Sequence, residues 1–385
     1  MPSGIHSLAG YPFPRGGSVL WSSSTIGTAI LGVGEKSRDD RGISMISRLK
    51  MWQKIFLITA ILAIPLIVIT NEYVKQVKEL SLNSLSEQSS ALPTIEQIGE
   101  LIKLIQDHGA KLPLWIIGTD FSQDQSLESA ERIEEMVSII SSQINKLKNV
   151  DRAHWDALAK KVRDMHAPNS VVPKGFKEYA QLSSELINYA EMLSYSYKFF
   201  SGAGDLITPS RLDIDLFPSL AENLNALRGY ITYKAFINEK SIKDVSVVSK
   251  YLSLADYRYN EILGAMDELK SHNPNFFARL NPEIAKIDSQ MNEVRSVAEL
   301  YTNDVESHID PEFYFKKSTE LINSIYLLKS ISSDMIARKL ELQIAQRNAK
   351  LNYIISIAVF SGFLVLALIL FISRSFVSGR FNARY

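Results

Sequence analysis

The run LNYIISIAVFSGFLVLALILFI, Leu351 to Ile372, contains no charged residue. At about 22 residues it is long enough to cross a hydrocarbon core of about 30 Å. What precedes it constrains the fold further. From Ser318 onward there is no proline, and the first glycine, Gly362, already lies inside the apolar run. Leu321, Ile325, Leu328, Met335, Ile336, Leu340 and Ile344 recur at helical spacing, with Lys329, Asp334, Arg338, Lys339, Glu341 and Arg347 between them. The pattern predicts one uninterrupted helix joining a polar helical region to a bilayer. Such a rod is able to carry displacement across a membrane.

A second apolar block, Ile55 to Thr70, contains Pro65, which membrane helices tolerate better than soluble ones. Arg48, Lys50 and Lys54 precede it; Arg374, Arg380 and Arg384 follow the later block. The positive-inside rule therefore places both termini in the cytoplasm and the middle outside. The expected division is a cytoplasmic, disordered Gly/Ser-rich N-terminus (1–50), a first transmembrane helix (51–70), an extracytoplasmic helical domain (71–350), a second transmembrane helix (351–373) and a short basic tail (374–385).

Formal net charge is zero, so no global basic field argues for nucleic acid. The absence of cysteine excludes disulfide frameworks, thiolate metal sites and thiol catalysis. Between the apolar blocks the chain reads as helices near 71–90, 94–108, 125–149, 151–166, 176–200, 216–237, 241–271, 282–308 and 311–350. Pro93, Asn149–Asp151, Pro168, Pro173, Asn273–Pro274, Asn281–Pro282 and Asp310–Pro311 mark the breaks. VSVV at 245–248 is the best strand signal, and it lies inside a helical pattern. The expected fold class is all-α: a membrane-anchored, elongated helical bundle between two transmembrane helices.

Four stretches resemble the input half of bacterial methyl-accepting chemotaxis proteins and related membrane-bound receptors with a helical periplasmic sensor. ALPTIEQIGELIKLIQDHGA (91–110) is similar to their Pro-initiated, Leu-rich first helix. SGAGDLITPSRLDIDLF (201–217) is similar to their acidic turn, SLAENLNALRGYITY (219–233) to the helix ending in Arg-Gly, and DPEFYFKKSTELINSIYLL (310–328) to the aromatic start of the last helix. The resemblance implies a bacterial inner-membrane sensor whose periplasmic domain, 71–350, binds a small solute or a partner. It also implies a homodimer, or a heterodimer with a full-length receptor. The chain departs from the pattern at His108-Gly109, where the family often has Arg before Gly. It departs again after Ile372, where no signalling domain follows.

No P-loop, nucleophile elbow, zinc-protease or dinucleotide motif is present, and no two of the six histidines stand at metal-ligand spacing. An enzyme, a cofactor and a metal are accordingly not expected. Arg228 and Tyr230 are the candidate ligand-binding pair, a guanidinium for a carboxylate and a phenol for a hydrogen bond, with Arg211 as a third candidate. The competing reading has Arg228 closing a salt bridge to Asp205 or Asp213. Asp213 and Asp215 read as caps of the helix beginning near Leu216. The aromatic clusters Tyr195–Phe200 and Phe313–Phe315 read as core. A non-sensory scaffold on the same bundle is the alternative function. A convergent pocket with a few polar groups favours the sensor, and a uniformly packed bundle the scaffold.

Overall fold

The computed structural model describes residues 51–78, 82–116, 123–166, 176–200, 204–303 and 309–381. Among the described residues every regular element is helical. In chain order they are α1 (Met51–Val77), α2 (Asn83–Ile116), α3 (Gln123–Ile144), α4 (Arg152–His166), α5 (Phe176–Ser196), α6 (Ile207–Arg211), α7 (Phe217–Ile237), α8 (Ile242–His272), α9 (Pro274–Asn303) and α10 (Pro311–Phe381). A 3-10 turn, Gly204–Leu206, leads into α6, and a π-helical stretch, Leu212–Leu216, joins α6 to α7. The expected N-terminal segment 1–50 and the last four residues of the tail lie outside the described residues.

The chain divides into two units, residues 67–360 and the flanking segments 1–66 with 361–385. In the first, α2 packs on α3, α5 and α7; α7 packs on α8, and α8 on α9; α4 packs on α3 and α5. The α2 face made by Ala91, Leu92, Ile95, Ile98, Leu101, Ile102 and Ile105 is buried throughout. Each such large side chain contributes about 1.5–3 kcal/mol. That face explains a departure from the sequence pattern. Pro93 was expected to open a helix, yet α2 runs through it. A proline inside a helix costs about 3 kcal/mol, less than the burial its neighbours gain. Pro282 is likewise internal to α9, between buried Leu280 and Ile284, so α9 starts at Pro274 instead. There Pro274 occupies a first-turn position that needs no backbone donor.

Up to Leu340, α10 turns one face inward. Tyr314, Leu321, Ile325, Leu328, Ile336 and Leu340 are buried. The helix is unbroken between Ser318 and Leu351, as its sequence predicts. Met335 and Ile344 are only partly covered. Trp155 fixes α4 against α3, its indole nitrogen donating to Ser141 Oγ at 2.9 Å. The turn between them carries Asn149 in the left-handed region (φ 56°), and Asp151 Oδ1 accepts from the His154 backbone N–H at 3.0 Å. VSVV is helical, inside α8.

In the second unit, Phe56, Leu57, Ile61 and Ile64 of α1 are exposed, as are Phe363, Leu364, Leu366, Leu368, Leu370 and Phe371 of α10. Among the described residues one helix, α10, is long and apolar enough to cross a membrane, and none of its apolar window is buried.

Candidate functional site

Arg228 is the largest buried cation of α7, 1% exposed. Its Nη1 donates to Thr319 Oγ1 on α10 at 2.7 Å, and its Nη2 to Asn225 Oδ1 at 2.6 Å and to Asp107 Oδ1 on α2 at 3.4 Å. The guanidinium carbon lies 4.7 Å from the centre of the Phe315 ring. Burial alone would raise the Asp107 carboxyl, but the charges of Arg228 and Lys111 hold it below its ordinary value. Asn225 Nδ2 continues the network to the Gln106 carbonyl at 2.6 Å, and Tyr326 on α10 donates to Gln106 Oε1 at 2.7 Å. Three helices are therefore tied through one arginine. Of its nitrogens only Nε is buried without a partner.

The three candidate residues do not converge. Tyr230, two residues after Arg228 and so on nearly the opposite side of α7, donates its hydroxyl to Asp244 Oδ1. Asp244 also closes a capping box with Ser241 at the start of α8 and pairs with Lys234 at 3.3 Å. Tyr230 thus serves the α7–α8 turn. Arg211 is exposed and pairs with Glu261 on α8 at 2.9 Å. The competing reading of Arg228 as an internal ion pair describes its contacts, although the partner is Asp107. Asp205 instead pairs with Lys339, 3.4 Å away.

The acidic turn departs from its expected capping role. Leu212–Leu216 is π-helical and continuous with α7, and no side chain caps at Leu216. A helix that does not start there has no orphan N–H groups to cap. Asp213, fully buried, accepts from Ser333 Oγ at 2.8 Å and lies 3.8 Å from Lys329 Nζ, both on α10. Burial raises its carboxyl against the opposing charge of Lys329. Asp215 accepts from Ser219 Oγ at 3.1 Å. Beside it, burial and then the Asp215 charge push Glu191 up to about 7. Nothing in the sequence flagged Lys329 as a buried partner, because it reads as one more charge on an amphipathic helix.

A cleft of about 480 Å³ lies elsewhere in the same unit. Ser86, Glu87, Ser90, Pro93 and Thr94 of α2 form one wall, Gln143, Lys146, Leu147 and Lys148 another, and Tyr197 closes the end. That volume is in the range of small-molecule sites. The polar groups are mixed: two exposed ammonium groups, one carboxylate, four hydroxyls and the Gln143 amide, whose Oε1 is buried without a partner. Sequence reasoning missed this cleft, because its residues come from three separated stretches and carry no motif. Of the aromatic clusters, Tyr197, Phe199 and Tyr314 are buried, whereas Tyr195 and Phe313 are exposed. Among the described residues no group of three or more acidic or histidine side chains is placed to hold a metal. Compared with known proteins, the chain matches no family model, no curated protein and no solved structure.

Proposed function

We propose that the protein is a chemoreceptor-like sensor of the bacterial inner membrane. In this reading residues 71–350 form an extracytoplasmic helical bundle between two membrane-spanning helices, working as a two-fold pair. A small solute enters the cleft lined by α2, the turn after α3 and the end of α5. Its preference for one packing of these helices shifts α10, and the uncharged run 351–373 carries the shift inward. The observation that carries the reading is the single helix Pro311–Phe381: its buried polar residues are gripped by α2, α7 and the π turn, and it continues into an uncharged apolar run. The cleft supports this reading over a scaffold, since it offers convergent polar groups beside apolar Pro93, Leu147 and the Tyr197 ring.

A chain without cysteine suits a labelling test. Ser249→Cys in the intact chain should react with an impermeant thiol reagent in whole cells, and Ser375→Cys only after the membrane is opened. The reverse pattern would place the helical domain inside and sink the sensory reading. Solute uptake is a separate question: Lys146→Glu with Lys148→Glu should abolish the thermal stabilisation that a metabolite panel identifies for the parent chain. A hit equally strong in that variant would move the solute away from the cleft.

A further inference from the structure

A void of about 10 Å³ lies between α2, α5 and α7, room for the centre of one water molecule. It is lined by Gln106, Gly109 and Ala110 of α2, by Tyr179, Ala180 and Ser183 of α5, and by Glu222, Asn225 and Ala226 of α7. Three polar atoms of that lining are sealed from solvent and reach no partner at full hydrogen-bond geometry: Gln106 Nε2, Ser183 Oγ and Glu222 Oε2. Ser183 and Gln106 do lie close enough to Glu222 to favour its ionised form, which opposes the effect of burial. Gln106 and Ser183 are themselves fully buried side chains. A buried polar group left without a partner costs about 1–3 kcal/mol. Three of them from three helices around one water-sized void is a built arrangement that a single donor-acceptor molecule satisfies.

We infer that this void is a site for one water molecule and one exchangeable proton, the proton carried by Glu222. The water accepts from Gln106 Nε2 and donates to Ser183 Oγ. Toward Glu222 Oε2 it accepts when the carboxyl is protonated and donates when it is ionised. The groups that meet Glu222 from the surrounding helices are neutral: Gln106 on α2, Ser183 and Tyr179 on α5, Tyr251 on α8 and Tyr326 on α10. The nearest guanidinium on its own helix, Arg228, is committed to Thr319, Asn225 and Asp107. Among the described residues no cation forms an ion pair with Glu222, and burial pushes its carboxyl up to about 8. The site is coupled to α10 by one side chain, since the Gln106 amide that faces the water through Nε2 accepts from Tyr326 through Oε1. Loss of the Glu222 proton reverses the water's orientation next to that amide, and so bears on the contact holding α10. The inference stands apart from the sensory reading, because it needs only the three-helix void.

A group whose folded pKa lies above its unfolded value gives stability that is complete below the unfolded pKa and is lost as pH rises through the folded one. For Glu222 that window runs from about 4.5 to about 8. The test uses the full chain in detergent. The infrared band of a protonated carboxylic acid that distinguishes the parent from the near-isosteric Glu222→Gln variant should persist at neutral pH and fade with a midpoint near pH 8; the raised carboxyls of Glu191 and Asp213 contribute to both spectra and cancel in the difference. A high-resolution structure at pH 6 should show one ordered water within hydrogen-bond distance of Gln106 Nε2, Ser183 Oγ and Glu222 Oε2. A difference band that disappears in the ordinary carboxylate range, no difference between the parent and Glu222→Gln, or an empty void would each overturn the inference. The map of the parent chain decides it even if the variant does not fold.

Discussion

Gly99 on α2 faces the end of the Lys329 side chain so closely that a Cβ at position 99 would lie 2.7 Å from Lys329 Cε and 2.8 Å from Nζ. The lysine reaches past this glycine to Asp213, and both ends of the pair are buried. Gly99→Ala should displace the ammonium and leave Asp213 without its counter-charge, a loss of about 3 kcal/mol. In a Lys329→Ala background the same change should be neutral or stabilise by about 1 kcal/mol, because alanine favours helix over glycine. Urea unfolding of the four chains of this cycle measures the difference. An equal loss in both backgrounds would mean that Gly99 is needed for some other contact.

Arg228 ties α2, α7 and α10 together, so its removal is a folding lesion before it is a binding lesion. Arg228→Ala should destabilise the chain by about 3–5 kcal/mol, since it removes the buried guanidinium at the centre of the network. Arg228→Lys should recover part of that and still lose about 1.5–3 kcal/mol, because one ammonium cannot reproduce the fork to Thr319 and Asn225. Denaturant midpoints distinguish the two. A stable Arg228→Ala chain would show that the network contributes little.

Tyr326 is the donor that occupies Gln106 Oε1. Tyr326→Phe keeps the ring and leaves the buried acceptor empty, a cost of about 1–3 kcal/mol. Tyr195→Phe, at a residue 64% exposed, should cost almost nothing and serves as the control.

Glu191 and Asp215 approach as two carboxylates, and Glu191 is pushed up to about 7 by burial and by its neighbour's charge. Its folded pKa exceeds the unfolded value of about 4.5. It therefore contributes stability below about pH 4.5 that is lost as the pH rises to about 7. Glu191→Gln should make that part of the stability profile less steep, with Glu222 still contributing there, and leave the interval between 7 and 8 intact. Asp215→Asn should lower the Glu191 pKa by removing the like charge, a shift that NMR titration reads directly.

Much of the local architecture was legible in the chain. The absence of proline and glycine after Ser318, with apolar residues every three or four positions, defined α10 as one helix through Leu351. The reading of Pro93 and Pro282 as breaks failed because the cost of a proline is local, while the burial of Ile95, Ile98 and Ile284 that outweighs it depends on helices distant in sequence. The site residues show the same limit. Arg228 stands out in the sequence as a ligand-binding candidate, but its partners Asp107 and Thr319 belong to helices far away in the chain.

The sequence by itself determined the helical periodicity, the uncharged run 351–372 and the lack of thiol chemistry, since each follows from residue type and spacing along one strand of chain. Only the tertiary structure decided which polar groups are buried together: Lys329 with Asp213, Tyr326 with Gln106, and Glu222 with a water-sized void. A residue's charge is written in its name, but whether that charge faces water or a neighbouring helix is set by packing between stretches that no local pattern relates.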